Sequence, residues 1–166
     1  MTTTITRHRP ASVKATRNKF TIPVFPHVKK FIQKSYGTAE AIKVEEYNTL
    51  GKLVTGILRD NRKRADNNDQ YRDRVTSSIT IVLTKEQAEL SPRITKLLRI
   101  NIDMDRVFKE HLVTTIQMYS LVGIAPFNAC KLFLEHYGID EKEYSVEAAY
   151  KYWQRCKNQN IPRMLS

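Results

Sequence analysis

Apolar residues recur every three or four positions along most of the chain, and this spacing predicts a mainly helical protein. Residues 20–25 and 78–83 instead alternate apolar and polar side chains, as half-buried strands do. Because neither strand is stable alone, the two are expected to pair. The predicted fold class is mainly α, a helical bundle with a small two-stranded β element. The predicted helices are residues 26–36, 44–59, a short segment after Thr84, a segment after Pro92, and residues 103–122, 126–137 and 145–158.

Individual residues predict where several of these helices begin. Thr84 and Gln87 have the spacing of a capping box, in which each side chain bonds the backbone of the other residue. Asp103 and Asp105 favour the positive end of a helix dipole, so we expect a separate long helix to start there. Its predicted apolar stripe contains Met104, Phe108, Leu112, Thr115, Met118 or Tyr119, and Val122.

A polar stretch over residues 59–74 contains almost no apolar side chain, which predicts an exposed loop between two parts of the chain. Residues 1–19 are rich in Thr, Arg and Lys, and such a segment buries too little apolar surface to order itself alone. The predicted parts are a flexible basic arm (1–19), a strand with two helices (20–60), an exposed linker loop (61–75), and a strand with a helical domain (76–166).

The composition is that of an ordinary globular domain, with 166 residues of which 41% are hydrophobic and 27% charged. No run approaches the roughly 18 apolar residues of a membrane span, and no apolar segment follows the N-terminal charges. Cys130 and Cys156 both fall in predicted helices, which favours free thiols and a reducing compartment. We therefore expect a cytoplasmic protein without a membrane partner.

The surplus of positive charge is concentrated at the two ends of the chain. Residues 1–39 contain eight Lys or Arg and no acid, and four more follow from Lys151 onward, again without an acid. Residues 40–150 contain 16 bases and 17 acids. Because a protein that needs only solubility intersperses its charges, two segregated basic regions favour a polyanionic partner. Nucleic acid is the commonest such partner, and we expect DNA rather than RNA.

The sharpest local pattern lies in residues 125–158, where Pro126 opens one predicted helix, Gly138 ends it and Ser145 caps a second. The pair resembles the helix-turn-helix of DNA-binding proteins, whose second helix enters the major groove. Predicted apolar positions are Phe127, Cys130, Leu134 and Tyr137 in the first helix and Val146, Ala149, Tyr150, Trp153 and Cys156 in the second. Tyr152 is the one aromatic side chain of the second helix expected to be exposed for base stacking. The resemblance implies nucleic-acid contacts from Lys151, Gln154, Arg155, Lys157 and Asn158.

Two other regions are candidates for nucleic-acid contact. The basic arm suits a minor groove or the phosphate backbone, and it would equally suit threading between the subunits of a shell or lying along structured RNA. Residues 19–59 have the strand-helix-helix order of ribbon-helix-helix dimers, with Lys19, Thr21 and Pro23 on the outward face, although Pro23 cannot donate to a partner strand. The phosphate contacts predicted outside the C-terminal helix are Arg7, Arg9, Arg17, Arg62, Lys63 and Arg64.

No catalytic or metal-binding pattern is found, since the four histidines are scattered and no CxxC, HxxxH, Walker or nucleophile-elbow spacing occurs. We predict no enzyme, no metal and no cofactor. The leading hypothesis is a non-enzymatic DNA-binding regulator or accessory factor, of a kind common in phages and mobile elements, that forms a homodimer or larger homo-oligomer through residues 44–58 or 103–122. The alternative is a structural or assembly protein of a virion or RNA scaffold, whose basic ends contact neighbours.

Overall fold

A computed structural model describes residues 18–37, 40–60, 74–90 and 94–159. Within these ranges the chain is mainly helical with one small sheet, as predicted. The described elements are β1 (Lys19–Val24), α1 (Pro26–Tyr36), β2 (Ile42–Lys43), α2 (Thr49–Arg59), β3 (Ser77–Val82), α3 (Lys85–Glu89), α4 (Ile94–Leu121), α5 (Pro126–Tyr137) and α6 (Val146–Gln159).

The described sheet has three strands in the order β1-β3-β2, one more than the sequence predicts. The expected pairing of β1 with β3 is confirmed and is antiparallel, with Lys19 opposite Val82 and Val24 opposite Ser77. The additional strand β2 runs parallel to β3 on its other edge. Since β3 of the same chain occupies one edge of β1, this pairing is not the ribbon between two chains that defines ribbon-helix-helix proteins.

Helix α2 begins at Thr49, five residues later than predicted, because the chain before it belongs to the sheet edge. The N–H of Val44 donates to the carbonyl of Val82 (3.0 Å), which continues the β2 pairing. Asn48 then caps the helix by accepting from the Gly51 N–H at 2.7 Å. A Cβ at position 51 would lie 1.8 Å from the Glu45 carbonyl oxygen, so only glycine permits this close approach.

The predicted start of a separate helix at residue 103 is wrong. Asp103 and Asp105 lie inside α4, a single helix of 28 residues. The Asp105 carboxylate accepts from His27 Nε2 of α1 (2.8 Å) and from Lys109 Nζ one turn later (2.6 Å). These partners satisfy the carboxylate within the helix, so its preference for a helix start does not decide the local structure.

Helix α4 forms the centre of the core. Phe108 is fully buried, with its ring centroid 5.4–5.6 Å from those of Phe31, Phe133 and Tyr144. Of the predicted alternatives Met118 and Tyr119, Tyr119 packs against the core and Met118 is exposed. The predicted apolar position Val122 is wrong, since this residue follows the end of α4 and is exposed. Fully buried positions along the described part of α4 are Ile100, Met104, Phe108, Leu112 and Ile116.

Buried polar side chains connect elements that are distant in the sequence. Asn101 of α4 accepts the backbone N–H of Phe25 (2.8 Å), which fixes the start of α1. Gln87 completes the predicted capping box with Thr84, which is confirmed, and its amide also donates to Thr55 of α2 at 2.8 Å. Buried apolar side chains from before and after residues 61–73 form one cluster. The predicted linker lies outside the described residues except for positions 74 and 75.

Candidate nucleic-acid interface

Helices α5 and α6 are joined by a short, well-bonded connection. Gly138 ends α5 in the left-handed conformation (φ 64°), and the N–H of the buried Ile139 returns to the Leu134 carbonyl at 2.9 Å. Asp140 and Glu143 then cap a single turn, each side chain accepting from the backbone N–H of the other residue. These bonds leave the connection little freedom, so α6 has a defined direction relative to α5.

Lys30 of α1 also binds the α5–α6 connection. Its ammonium group donates to the Gly138 carbonyl (2.6 Å) and lies 2.6 Å from the Glu143 carboxylate. The Asp140 carboxylate is 3.7 Å away. One cation of the acid-free N-terminal region is therefore engaged within the protein, which sequence spacing could not show.

The polar and apolar positions of α6 separate onto opposite sides of the helix. Ser145 caps the helix as predicted, its hydroxyl accepting from the Ala148 N–H at 3.1 Å. Ala149 is fully buried, and the four other predicted apolar positions are partly buried. All five predicted nucleic-acid contacts of this helix are exposed, namely Lys151, Gln154, Arg155, Lys157 and Asn158.

Few acids oppose the positive charge of this exposed face. Lys151 lies 3.9 Å from Glu147, but both side chains are more than two-thirds exposed, so water screens their attraction. Arg155 forms no ion pair with a described residue and bonds only the carbonyl of Lys151, at 3.4 Å. The face therefore keeps most of its positive potential.

One aromatic residue of α6, Tyr152, differs from its predicted placement. Tyr152, expected to be exposed, is partly buried against α4, with Lys109 Nζ 5.5 Å and the Arg155 guanidinium 5.9 Å from its ring centroid. Burial raises the pKa of Tyr152, and a hydrogen bond with Cys156 raises it further by a smaller amount. It is therefore no better placed for base stacking than Tyr150 or Trp153.

An open groove of about 470 Å³ lies where α6 passes the start of α5. Tyr150 and Trp153 stack at its base with ring centroids 5.7 Å apart, and Phe127 packs edge-on against Tyr150. Phe127, which the sequence predicts on the packed face of α5, is 46% exposed. The packed face is instead formed by the four buried residues of this helix, Ala129, Cys130, Phe133 and Leu134.

Sequence spacing did not identify Arg74 and Tyr144 as residues that contact the aromatic cluster around His27. Arg74 lies three residues before the start of β3, and its guanidinium lies 5.5 Å from the Phe25 ring centroid. Tyr144 lies in the α5–α6 connection, 4.8 Å from the His27 ring and 5.4 Å from the Phe108 ring by centroid distances. Only the fold brings these residues to the aromatic side chains that they contact. The predicted phosphate contacts Arg7, Arg9, Arg17, Arg62, Lys63 and Arg64 lie outside the described residues.

Three titratable groups of the described core are either paired with each other or buried, namely His27, Asp105 and Cys130. His27 and Asp105 form a buried pair, and the ring of His27 stacks on Phe25 with 7° between their planes. Burial raises the pKa of the Cys130 thiol to about 11, which suppresses its thiolate. The described residues contain no group of three or more metal-ligating side chains, and none of the described helices is long and apolar enough to cross a membrane.

Comparison with known proteins identifies no relative, since no protein-family model, no curated protein and no solved structure matches the chain. The functional argument therefore depends on the geometry and charge of this surface.

Proposed function

We propose that the protein is a non-enzymatic DNA-binding protein that places the exposed face of α6 in the major groove. The proposal follows chiefly from one observation: the exposed side chains of α6 from Lys151 to Asn158 are three cations and two amides, and Glu147 is the one exposed acid among the described side chains of the helix, while the opposite side packs on the core. Lys and Arg suit phosphates and guanine edges, and Gln and Asn suit adenine edges.

The support of α6 is consistent with such a role. A helix of 14 residues is about 21 Å long, sufficient to span a major groove about 12 Å wide. The α5–α6 connection is held by its own capping bonds and by Lys30, so the helix is presented on a fixed base. Such preorganisation lowers the entropy lost on binding.

The test is a salt titration of binding to a random 30-base-pair duplex, read by fluorescence anisotropy. Exchanging both Lys151 and Arg155 for Ala should weaken binding and lower the slope of log affinity against log salt by about 2, since each lost phosphate contact contributes about 0.9. In the matched control, both Lys52 and Lys85 are replaced by Ala; these are exposed cations of α2 and α3. This variant should keep a salt slope close to that of the wild type.

Equal losses in the two double variants would attribute binding to net charge and contradict a role for α6. A second change, Gln154→Ala, tests base contact rather than phosphate contact. It should leave affinity for random duplex unchanged while altering the preference among selected sequences, because an amide reads base edges without changing charge.

A second candidate function is favoured by an exposed apolar surface. Met118, Leu121 and Val122 near the end of α4 are 64%, 88% and 73% exposed, and Phe127 and Leu132 of α5 are also exposed. Exposed apolar side chains of this size are typical of protein–protein contacts. We propose as the alternative a structural or assembly protein that self-associates through this surface.

Light scattering distinguishes the two proposals. The DNA-binding proposal expects a small defined oligomer that binds duplex DNA, whereas the assembly proposal expects large oligomers without nucleic acid. Exchanging Leu121 for Glu should reduce the mass of such assemblies, whereas Gln117→Glu, an exposed change on the same helix, should not.

A further inference from the structure

We propose that the open groove between α6 and the start of α5 binds one unpaired nucleotide of single-stranded DNA. This inference goes beyond the proposed function, since it adds a second form of nucleic acid and gives the partly buried aromatic residues of α6 a role. The groove is lined by Pro126 of α5 and by Tyr150, Trp153, Gln154, Lys157 and Asn158 of α6.

The aromatic residues of the groove form a supported stacking surface. The rings of Tyr150 and Trp153 stack with their centroids 5.7 Å apart and 24° between their planes. Phe127 packs edge-on against Tyr150 at a centroid distance of 5.6 Å. Both stacked residues are partly buried and line the groove, so they are held by neighbours and still reach its open side. Any base can stack on such rings, because every base has a π-face.

The polar residues of the groove match the other parts of a nucleotide. Lys157 Nζ lies 5.4 Å from the Trp153 ring centroid, so a cation is next to the stacking surface and can pair with the phosphate of a stacked nucleotide. Gln154 and Asn158 are exposed, and their amides offer both a donor and an acceptor to a base edge.

The charge of the groove favours a nucleotide over a cationic peptide. None of the described lining residues is acidic, so a lysine or arginine side chain would find aromatic rings here but no carboxylate. A nucleotide supplies an aromatic ring, a polar edge and a negative charge together. The volume of about 470 Å³ is that of an ordinary small-ligand site, for which about 300–1,000 Å³ is typical.

Stacking in the groove requires a base that is not inside a duplex. Within a duplex, neighbouring base pairs cover both faces of each base, whereas an unpaired base can leave the stack and place one face on an aromatic ring. Lys151 and Arg155, the cations tested for duplex binding, are not among the described lining residues. The two modes of binding can therefore be tested separately.

The fluorescence of Trp153 reports on the groove directly, because it is the only tryptophan of the chain. A mixed-sequence DNA strand of about 12 nucleotides, a length that such sites accommodate, should quench this fluorescence saturably. The same strand annealed to its complement should quench it much less, because its bases are already stacked. Free tryptophan mixed with each DNA corrects for absorption by the nucleic acid.

Two variants test the groove residues. Tyr150→Leu should weaken single-strand binding roughly tenfold, as expected for the loss of one stacking contact. Its control is Tyr47→Leu, at a tyrosine that is 77% exposed and does not line the groove. Lys157→Gln should lower the single-strand salt slope by about 0.7, the value for one phosphate, whereas Lys52→Gln should not. Because Lys157 is exposed, its variant still decides the question if Tyr150→Leu does not fold.

The outcomes separate the groove from the proposed function. If the single strand does not quench Trp153, or if both groove variants bind it like their controls, the groove proposal is refuted. Duplex binding that depends on Lys151 and Arg155 would then still support the major-groove role of α6. Single-strand quenching without duplex binding would support the groove and refute that role. Equal quenching by strand and duplex would refute the selectivity for an unpaired nucleotide.

Discussion

Replacing Asp105 by Ala should destabilise the protein through its effect on a buried histidine. The carboxylate accepts from His27 Nε2 at 2.8 Å and from Lys109 Nζ at 2.6 Å, joining α1 to the centre of α4. His27 Nδ1 is already buried without a partner. In the Ala variant both ring nitrogens of His27 would therefore lack a hydrogen bond.

The magnitude can be worked out from these contacts. An unpaired buried donor costs about 1–3 kcal/mol, and the lost ion pair with the partly exposed Lys109 adds up to about 1 kcal/mol. We expect Asp105→Ala to lower the free energy of unfolding by about 3 kcal/mol. Asp105→Asn should cost about 1 kcal/mol, because the amide oxygen can still accept from His27.

Urea unfolding measures both changes, with Glu110→Ala as the control. Glu110 is an exposed carboxylate on the same helix, 4.0 Å from Arg106, and its loss should change stability by less than about 0.5 kcal/mol. For a chain of this size, about 3 kcal/mol corresponds to a decrease in Tm of roughly 6–12 °C. If Asp105→Ala costs no more than Glu110→Ala, the buried pair does not stabilise the fold as argued.

The pH dependence of this effect has a defined sign. Burial alone would raise the pKa of Asp105, but the hydrogen bonds from His27 and Lys109 outweigh it, so the pKa lies below its ordinary value of 3.8. A carboxyl with a depressed pKa stabilises the folded state above its ordinary value and loses this effect as the pH falls through the folded-state pKa. The difference between wild type and Asp105→Ala should therefore shrink as the pH falls below about 4. An unchanged difference in that range would contradict the pairing.

Three further predictions follow from the described contacts and from the chain ends. Lys30→Met should lower the free energy of unfolding, measured in urea, by about 1–2 kcal/mol through loss of the Gly138 and Glu143 contacts. Lys34→Met at an exposed position should not lower it, and equal effects would mean that the Lys30 contacts do not stabilise the fold. A thiol reagent should label Cys156 well before Cys130, whose pKa burial raises to about 11; equal rates would contradict that burial. Deleting residues 2–17 should lower the duplex salt slope by up to about 4 without changing Tm, and an unchanged slope would exclude the arm from binding.

Helix ends marked by Pro and Gly were predictable from the sequence. The bounds of α1 and α5 agree with prediction because Pro26 and Pro126 suit the first helical position. Gly37 and Gly138 adopt positive φ values of 104° and 64°, which other residues rarely do. Most positions on the packed and exposed faces of α6 were also predictable, because the helical period alone decides which residues share a face.

Features that depend on distant residues were not predictable. The two-residue strand β2 has no periodicity of its own and forms because β3 offers a free edge. Asp105 lies in the middle of α4 because His27, 78 positions earlier, pairs with it. Arg74 contacts the Phe25 ring only through the fold, since its own segment carries no motif.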